Sequence, residues 1–154
     1  MGRSSQYTHY MQRVDLDSQP TYDIEEQFSG LLYMRAEGMN DIGKSKNVYT
    51  ETYADSDRLR VFLPNNGEYT NEATKITMHF LVLGDAVSRE AVIRSFENYV
   101  REGIHRYWDD ARNLEFDFIV QDEIKVSDEK WHGSSPYVEI AVVMQNLNGK
   151  TRPH

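Results

Sequence analysis

Three acidic residues have side chains and a spacing that could serve proton transfer or cation binding: Glu115, Asp117 and Glu123. They alternate with apolar residues over 114–126, so the pattern predicts that all three share one face of a long strand. Residues two apart on such a face lie about 7 Å apart. Carboxylates in this arrangement can transfer protons, hold a hard cation or line an acidic lumen. They are also typical of a plain solvated strand face.

The surrounding sequence concentrates negative charge. Residues 109–130 contain eight acids and three bases, which accounts for five of the eight net negative charges of the 154-residue chain. An acidic protein lacks the basic face that general nucleic-acid binding needs. Charge of this sign repels phosphate, so it suits a channel through which DNA passes without specific binding.

Recognisable catalytic and metal-binding motifs are missing from the sequence. The chain has no cysteine, no pair of histidines at helical spacing, no HExxH, no GxSxG elbow and no glycine-rich phosphate loop. We therefore predict no catalytic residue, no metal and no cofactor, and a protein that is not an enzyme. The alternative is a small-ligand-binding or enzymatic domain, whose polar candidates are His79, Tyr99, Tyr107, Glu115 and Asp117.

Large aromatic residues in polar segments are candidates for contacts with other subunits. Trp131 lies in the loop 127–136, where it either packs over its own sheet edge or contacts a partner, as in a small adaptor. The polar segment 1–22 contains Tyr7, Tyr10 and Met11. It predicts an extended arm outside the core, either a disordered tail or a clasp onto a neighbouring subunit.

Hydrophobic periodicity predicts the elements that position these residues. One helix is predicted over roughly 88–108, capped by Ser88, with Val92, Phe96 and Val100 on its apolar face. Strands are predicted near 32–36, 48–53, 59–63, 74–83, 114–126 and 137–145, with 59–63 and 74–83 joined as a hairpin by a long loop.

These elements predict an α+β fold. It is a mostly antiparallel sheet with one long amphipathic helix packed on one face and an extended N-terminal arm. The predicted organisation is a polar N-terminal arm at 1–22, a single α+β domain at 23–148 and a short basic tail at 149–154. No run of about 18 apolar residues occurs, so no membrane span is predicted.

The strand–helix–strand–strand plan of residues 74–147 resembles a known class of proteins. Its segments TKITMHFLVLGDAVSREAVIRSFENYVREGIHRYWDD, NLEFDFIVQDEIKV and SPYVEIAVVMQNLN are similar to neck and tail ring proteins of tailed bacteriophages, of the tail-terminator, tail-completion or head–tail connector type. Tail-tube subunits are a less similar alternative.

The resemblance implies a structural subunit of the virion that is assembled in the host cytoplasm. It implies a homo-oligomeric ring that forms a channel for DNA and contacts neighbouring neck or tail proteins. In such a ring, Glu115, Asp117 and Glu123 would face the lumen, and Trp131, Tyr7, Tyr10 and Met11 would lie at interfaces.

Overall fold

A computed structural model describes residues 7–44, 49–52, 59–62 and 71–154. These residues form twelve strands and two helices, in the following order along the chain: β1 (His9–Arg13), β2 (Thr21–Asp23), α1 (Ile24–Gln27), β3 (Leu31–Glu37), β4 (Tyr49–Thr52), β5 (Leu59–Phe62), β6 (Thr74–Leu83), α2 (Ala86–Arg101), β7 (His105–Asp109), β8 (Leu114–Ile119), β9 (Lys125–Val126), β10 (Lys130–His132), β11 (Ser135–Asn146) and β12 (Arg152–Pro153).

Ten of these strands form one antiparallel sheet. Its main path runs β2-β1-β7-β8-β11-β6-β3, while β9 and β10 pair with β11, and β12 pairs with β8. The helices are short, with 4 residues in α1 and 16 in α2. The predicted α+β fold with one long amphipathic helix is therefore wrong: the protein is mainly an antiparallel β structure.

The centre of the sheet is the long ladder between β6 and β11. It runs over ten residue pairs, from Tyr137 opposite Leu83 to Asn146 opposite Thr74. Strict alternation makes one face of each strand apolar, as expected for a sheet with one face on the core. The side chains that β6 contributes to the core are fully buried: Ile76, Met78, Phe80 and Val82.

Helix α2 covers this apolar face. Its N-cap is Asp85, whose Oδ1 accepts a hydrogen bond of 2.8 Å from the backbone N–H of Ser88. Ser88, predicted as the cap, therefore lies in the first turn of the helix. Phe96 and Val100 are fully buried, and Phe96 meets Phe80 edge to face at a centroid distance of 5.2 Å.

The helix ends seven residues earlier than predicted. Gly103 has a φ of +74°, a left-handed conformation that stops helices and favours glycine. Beyond it, His105, Tyr107 and Asp109 are buried in alternation with two half-buried residues. This period of two makes 105–109 a strand, so the predicted helix through Trp108 is wrong there.

The N-terminal segment joins the sheet. Strand β1 pairs along its whole length with β7, from His9 opposite Asp109 to Arg13 opposite His105, and Met11 is fully buried. The prediction of an arm outside the core is therefore wrong for this strand. Near the other terminus, Arg152 and Pro153 pair with β8.

Two further strand predictions are wrong. The strand at 59–62 does not form a hairpin with β6, because it pairs with β4 in a separate two-stranded sheet. The predicted long strand over 114–126 is interrupted between Ile119 and Lys125. The interruption includes Gln121 and Asp122.

Replacing Gly103 with alanine is expected to destabilise the protein by about 2–4 kcal/mol. An added Cβ would combine a positive φ with overlap of the Asp15 carboxylate oxygens. Gly133 is a matched control, because its φ is +62° but an added Cβ there meets nothing within 4 Å. Gly133→Ala should therefore cost only about 1 kcal/mol. Urea denaturation measures both, and equal losses would contradict the role assigned to the Asp15 contact.

Candidate interaction surface

Only two of the three acidic residues predicted to share a strand face do so. Glu115 and Asp117 lie on the face of β8 opposite the buried Phe116 and Phe118. Glu123 is exposed and lies in the segment between β8 and β9. The break in the strand therefore separates Glu123 from the other two acids.

Two arginines neutralise Glu115 and Asp117. Arg106 lies on β7 opposite Asp117, and Arg152 lies on β12 opposite Glu115. The Arg106 Nε is 2.8 Å from an Asp117 oxygen and 2.9 Å from a Glu115 oxygen. The Arg152 Nη2 is 2.6 Å from Glu115 and 3.0 Å from Asp117. We call these four residues the Arg–carboxylate cluster; its two positive and two negative charges balance.

The cluster sets the protonation of Asp117. Burial raises the pKa of this carboxyl, but the hydrogen bonds and charges of Arg106 and Arg152 outweigh burial, so its pKa lies below the ordinary value. Asp117 is therefore held ionised, and both acids are bound to arginines. This arrangement fastens three strands together and leaves little negative charge on this face to repel phosphate.

An aromatic stack adjoins the cluster and includes one predicted interface residue. The His154 Nδ1 lies 3.0 Å from Glu115, and its ring stacks on Trp108 at a centroid distance of 4.6 Å. Trp108 also stacks on Tyr10 at a centroid distance of 5.5 Å. The chain terminus is thereby tied to the outer face of β1 and β7.

The other predicted interface residues have very different exposures. Trp131 on β10 is 59% exposed and Tyr7 is 41% exposed, whereas Met11 is fully buried. Met11 therefore packs within its own subunit. Trp131 offers more than half of a large apolar side chain to solvent.

The strand that carries Trp131 is fixed to the rest of the fold. It pairs with β11, with Trp131 opposite Pro136. Just before it, Glu129 forms an ion pair of 2.5 Å with Arg89 of α2, whose side chain is 8% exposed. Arg89 also donates to the carbonyl of Gly84 at 2.9 Å. The exposed tryptophan is thus presented from an anchored strand.

A buried row of polar side chains, His9, Tyr107 and Asp109, was not predicted from the sequence. The His9 Nδ1 lies 2.8 Å from the Tyr107 hydroxyl, which donates at 3.0 Å to Asp109; all three are at most 3% exposed. Burial lowers the pKa of His9 and raises that of Tyr107 well above its ordinary value. The phenol donates its hydrogen bond to the Asp109 carboxylate, so the neutral imidazole of His9 is the donor to the phenol oxygen. The row joins β1 to β7 in the interior.

The polar residues proposed for a ligand site do not come together. His79 lies on β6, with its Nε2 3.3 Å from Glu37. Tyr107 belongs to the buried row, whereas Glu115 and Asp117 lie in the cluster on the opposite sheet face. Tyr99 is on α2, where it lines a cavity together with residues of β1, β2 and β7.

Neither a metal site nor a membrane-spanning helix is found among the described residues. These residues contain no group of three or more His, Cys, Asp or Glu side chains that could hold a metal ion. Over the same ranges, neither helix combines the length and apolar character that crossing a membrane requires.

Comparison with known proteins identifies a shared fold. No protein-family model matches the sequence, and no curated protein matches it. A chain in a structure of the phage p2 baseplate in its activated conformation with Sr is similar, with a TM-score of 0.52 and 9% sequence identity. The match covers 90% of this chain and 44% of that chain, so this protein spans less than half of its neighbour. The corresponding structure with Ca gives a TM-score of 0.47 and the same coverage.

Replacing Asp117 with asparagine is expected to lower the free energy of unfolding at pH 7 by about 1–3 kcal/mol, because the charge-assisted hydrogen bonds from Arg106 and Arg152 are weakened or lost. A carboxyl whose pKa is lowered by folding stabilises the protein above its unfolded pKa of about 3.9, and this contribution is lost as the pH falls towards the folded pKa. Asp117→Asn should therefore lose less stability than the native protein when the pH falls from about 5 to 3.

Urea denaturation across this pH range measures the effect. Glu123→Gln is the control, because Glu123 is exposed and has no ion pair within the described part of the chain. It should reproduce the native pH dependence. An Asp117→Asn protein with that same dependence would show that the cluster contributes nothing to acid sensitivity.

Proposed function

We propose that this protein is a structural subunit of a phage tail assembly. The observation that carries the proposal is the fold shared with a chain of a phage baseplate, over 90% of this protein. The resemblance of residues 74–147 to phage ring proteins supports the same class. We therefore propose that its place is in the virion, after assembly in the host cytoplasm.

The finer proposal is a ring of identical subunits around a channel for DNA. Rings form when one patch of a subunit binds a different patch of the next. The neighbour belongs to a baseplate, so its fold supports a position in the tail more directly than a neck, terminator or connector position. Glu123 is the predicted lumen residue that keeps an exposed carboxylate, and in this proposal DNA passes it without specific binding.

The use of polar groups supports a structural rather than a catalytic role. The carboxylates of Glu115 and Asp117 bind arginines across strands. The phenol of Tyr107 and the carboxylate of Asp109 bind each other in the interior. These groups hold the sheet together and are occupied by partners of the same chain.

The exposed apolar side chains supply a contact surface. Trp131 is 59% exposed, Val126 50% and Val87 81%. Tryptophan is among the residues that contribute most to protein–protein binding when a partner covers it. We propose that Trp131 contacts the adjacent subunit or a neighbouring tail protein.

Replacing Trp131 with alanine is expected to weaken assembly without changing the fold. An interface tryptophan contributes roughly 2 kcal/mol or more, so the dissociation constant of the assembly should rise about 30-fold. Mass photometry and analytical ultracentrifugation over a concentration series measure this, with the protein alone and mixed with tail proteins from the same phage.

Leu16→Ala is the matched control. Leu16 is also a large apolar side chain, 51% exposed, but it lies in the connection between β1 and β2. Both variants should keep the native melting temperature, and only Trp131→Ala should lose assembly. A native protein that stays monomeric alone and with every tail partner would count against the structural role itself.

A further inference from the structure

An apolar groove lies between the start of α2 and the strands β9 and β11. Its volume is about 370 Å³. Its apolar lining comes from Ala86 and Ile93 of α2, Val126 of β9 and Val138 of β11. Val126 is 50% exposed, although its strand pairs with β11. The groove is therefore an open apolar surface on the side of the sheet that α2 covers.

The charged side chains at this groove neutralise one another. Three of them line it: Arg89, Glu90 and Arg94. Arg94 binds Glu90 at 2.5 Å, and Arg89 binds Glu129 at 2.5 Å. These two ion pairs leave no net charge, whereas the chain as a whole has a net charge of −8. The groove is thus a neutral, apolar face on an acidic protein.

This charge distribution favours one class of partner. An acidic or phosphate-bearing partner needs a surplus of positive charge, which this face lacks, and a basic partner finds its complement on the acidic remainder of the surface. Two copies of a chain with a charge of −8 repel each other in general. They meet at the lowest electrostatic cost where both contact surfaces are neutral, so the groove suits a second copy of this chain.

Trp131 is the side chain that a second copy brings to the groove. It is the largest exposed apolar side chain in the described part of the chain. It lies on the same side of β10 as Glu129, which reaches α2, because residues two apart on a strand share a face. Its partner across the strands is Pro136, two residues before Val138 of the groove.

The tryptophan of a chain does not fill the groove of the same chain. Trp131 is not one of the residues that line the groove, and 59% of it remains exposed. Its strand is fixed by pairing with β11 and by the ion pair of Glu129 with Arg89. Each chain therefore presents an apolar projection and an apolar depression that lie next to each other but remain separate.

The sizes of the two features match. A buried tryptophan covers about 150–250 Å², and 370 Å³ lies within the roughly 300–1,000 Å³ of sites that enclose organic molecules. Specific interfaces bury about 1,200–2,000 Å². A tryptophan in this groove is therefore the centre of an interface, where aromatic side chains in apolar pockets contribute most of the binding energy.

We propose that Trp131 of one subunit inserts into the groove between α2 and β9 of a second copy of this chain. The inference rests on the structural role proposed above and adds the partner and the surface that Trp131 contacts. The tryptophan and the groove are different patches of one subunit, so the contact can continue from copy to copy, as a ring requires.

The test compares one charge substitution at two apolar side chains of equal exposure. Val126→Glu places a carboxylate in the groove, whereas Leu16→Glu places one beside Asp15, which contacts Gly103 beyond the opposite end of α2. Val126 is 50% exposed and Leu16 is 51% exposed. Both variants change the net charge equally, and both should keep the native melting temperature.

Sedimentation of the full chain over a concentration series measures self-association. Val126→Glu should raise the dissociation constant about tenfold or more, because the contact would bury an unpaired charge. Leu16→Glu should stay within about twofold of the native value. If Val126→Glu does not fold, Ala86→Glu replaces it, since a carboxylate in the first turn of α2 is favourable for the helix.

Trp131→Ala and Val126→Glu should complement each other. The first variant keeps the groove and the second keeps the tryptophan, so their mixture retains one complete contact. Fluorescence-detected sedimentation, with a dye on one variant, should show that the two bind each other about tenfold or more tightly than either binds itself. Lack of recovery would show that the tryptophan and the groove do not meet.

Fluorine NMR of protein containing fluorinated tryptophan follows the insertion directly. The chain has two tryptophans, Trp108 and Trp131, and the Trp131 signal is assigned by its loss in Trp131→Ala. This signal should shift or broaden with increasing concentration in the native protein and in Leu16→Glu, but not in Val126→Glu.

Three further results would overturn the proposal: a native protein that is monomeric over the whole series, a Trp131 signal that is independent of concentration, or equal assembly of Val126→Glu and Leu16→Glu. The structural role is tested separately by adding tail proteins from the same phage. A Trp131 signal that shifts only then would make a tail protein the occupant and would leave the structural role standing.

Discussion

The left-handed turn at Gly103 is the constraint on which the rest of the structure depends. Its φ of +74° ends α2, and the Asp15 carboxylate packs where a side chain would otherwise stand. The same carboxylate accepts the backbone N–H of Ile104 at 3.1 Å and binds Arg13. One acid from the connection after β1 therefore fixes the point where the chain leaves the helix and enters the sheet as β7.

Strand β7 then organises both faces of the sheet around it. Its inward side chains include His105, which lines the same cavity as Tyr99, and Tyr107, which belongs to the buried row with His9 and Asp109. Its outward Arg106 binds the carboxylates of β8. Had the helix continued to residue 108, these groups would project at a period of 3.6 and could not pair across strands.

The polar groups described above bind one another within the chain, whereas some large apolar side chains remain exposed. Arginines and carboxylates connect β7, β8 and β12, and the His9–Tyr107–Asp109 row connects β1 to β7. Trp131 remains exposed on an anchored strand. This distribution supports the structural role proposed above.

The sequence by itself determined those elements whose hydrophobic spacing fits either a helix or a strand, but not both. The alternation over 74–83 and in β11 predicted the central strands, and the apolar spacing around Phe96 predicted α2. Only the tertiary structure decided the segment 104–108, where Ile104 and Tyr107 fit a helical spacing but His105, Tyr107 and Asp109 are buried with the period of a strand. It also decided that Met11 is buried and that Arg106 and Arg152 neutralise Glu115 and Asp117. These outcomes depend on pairing between residues distant in the chain, and such pairing leaves no local periodic signal.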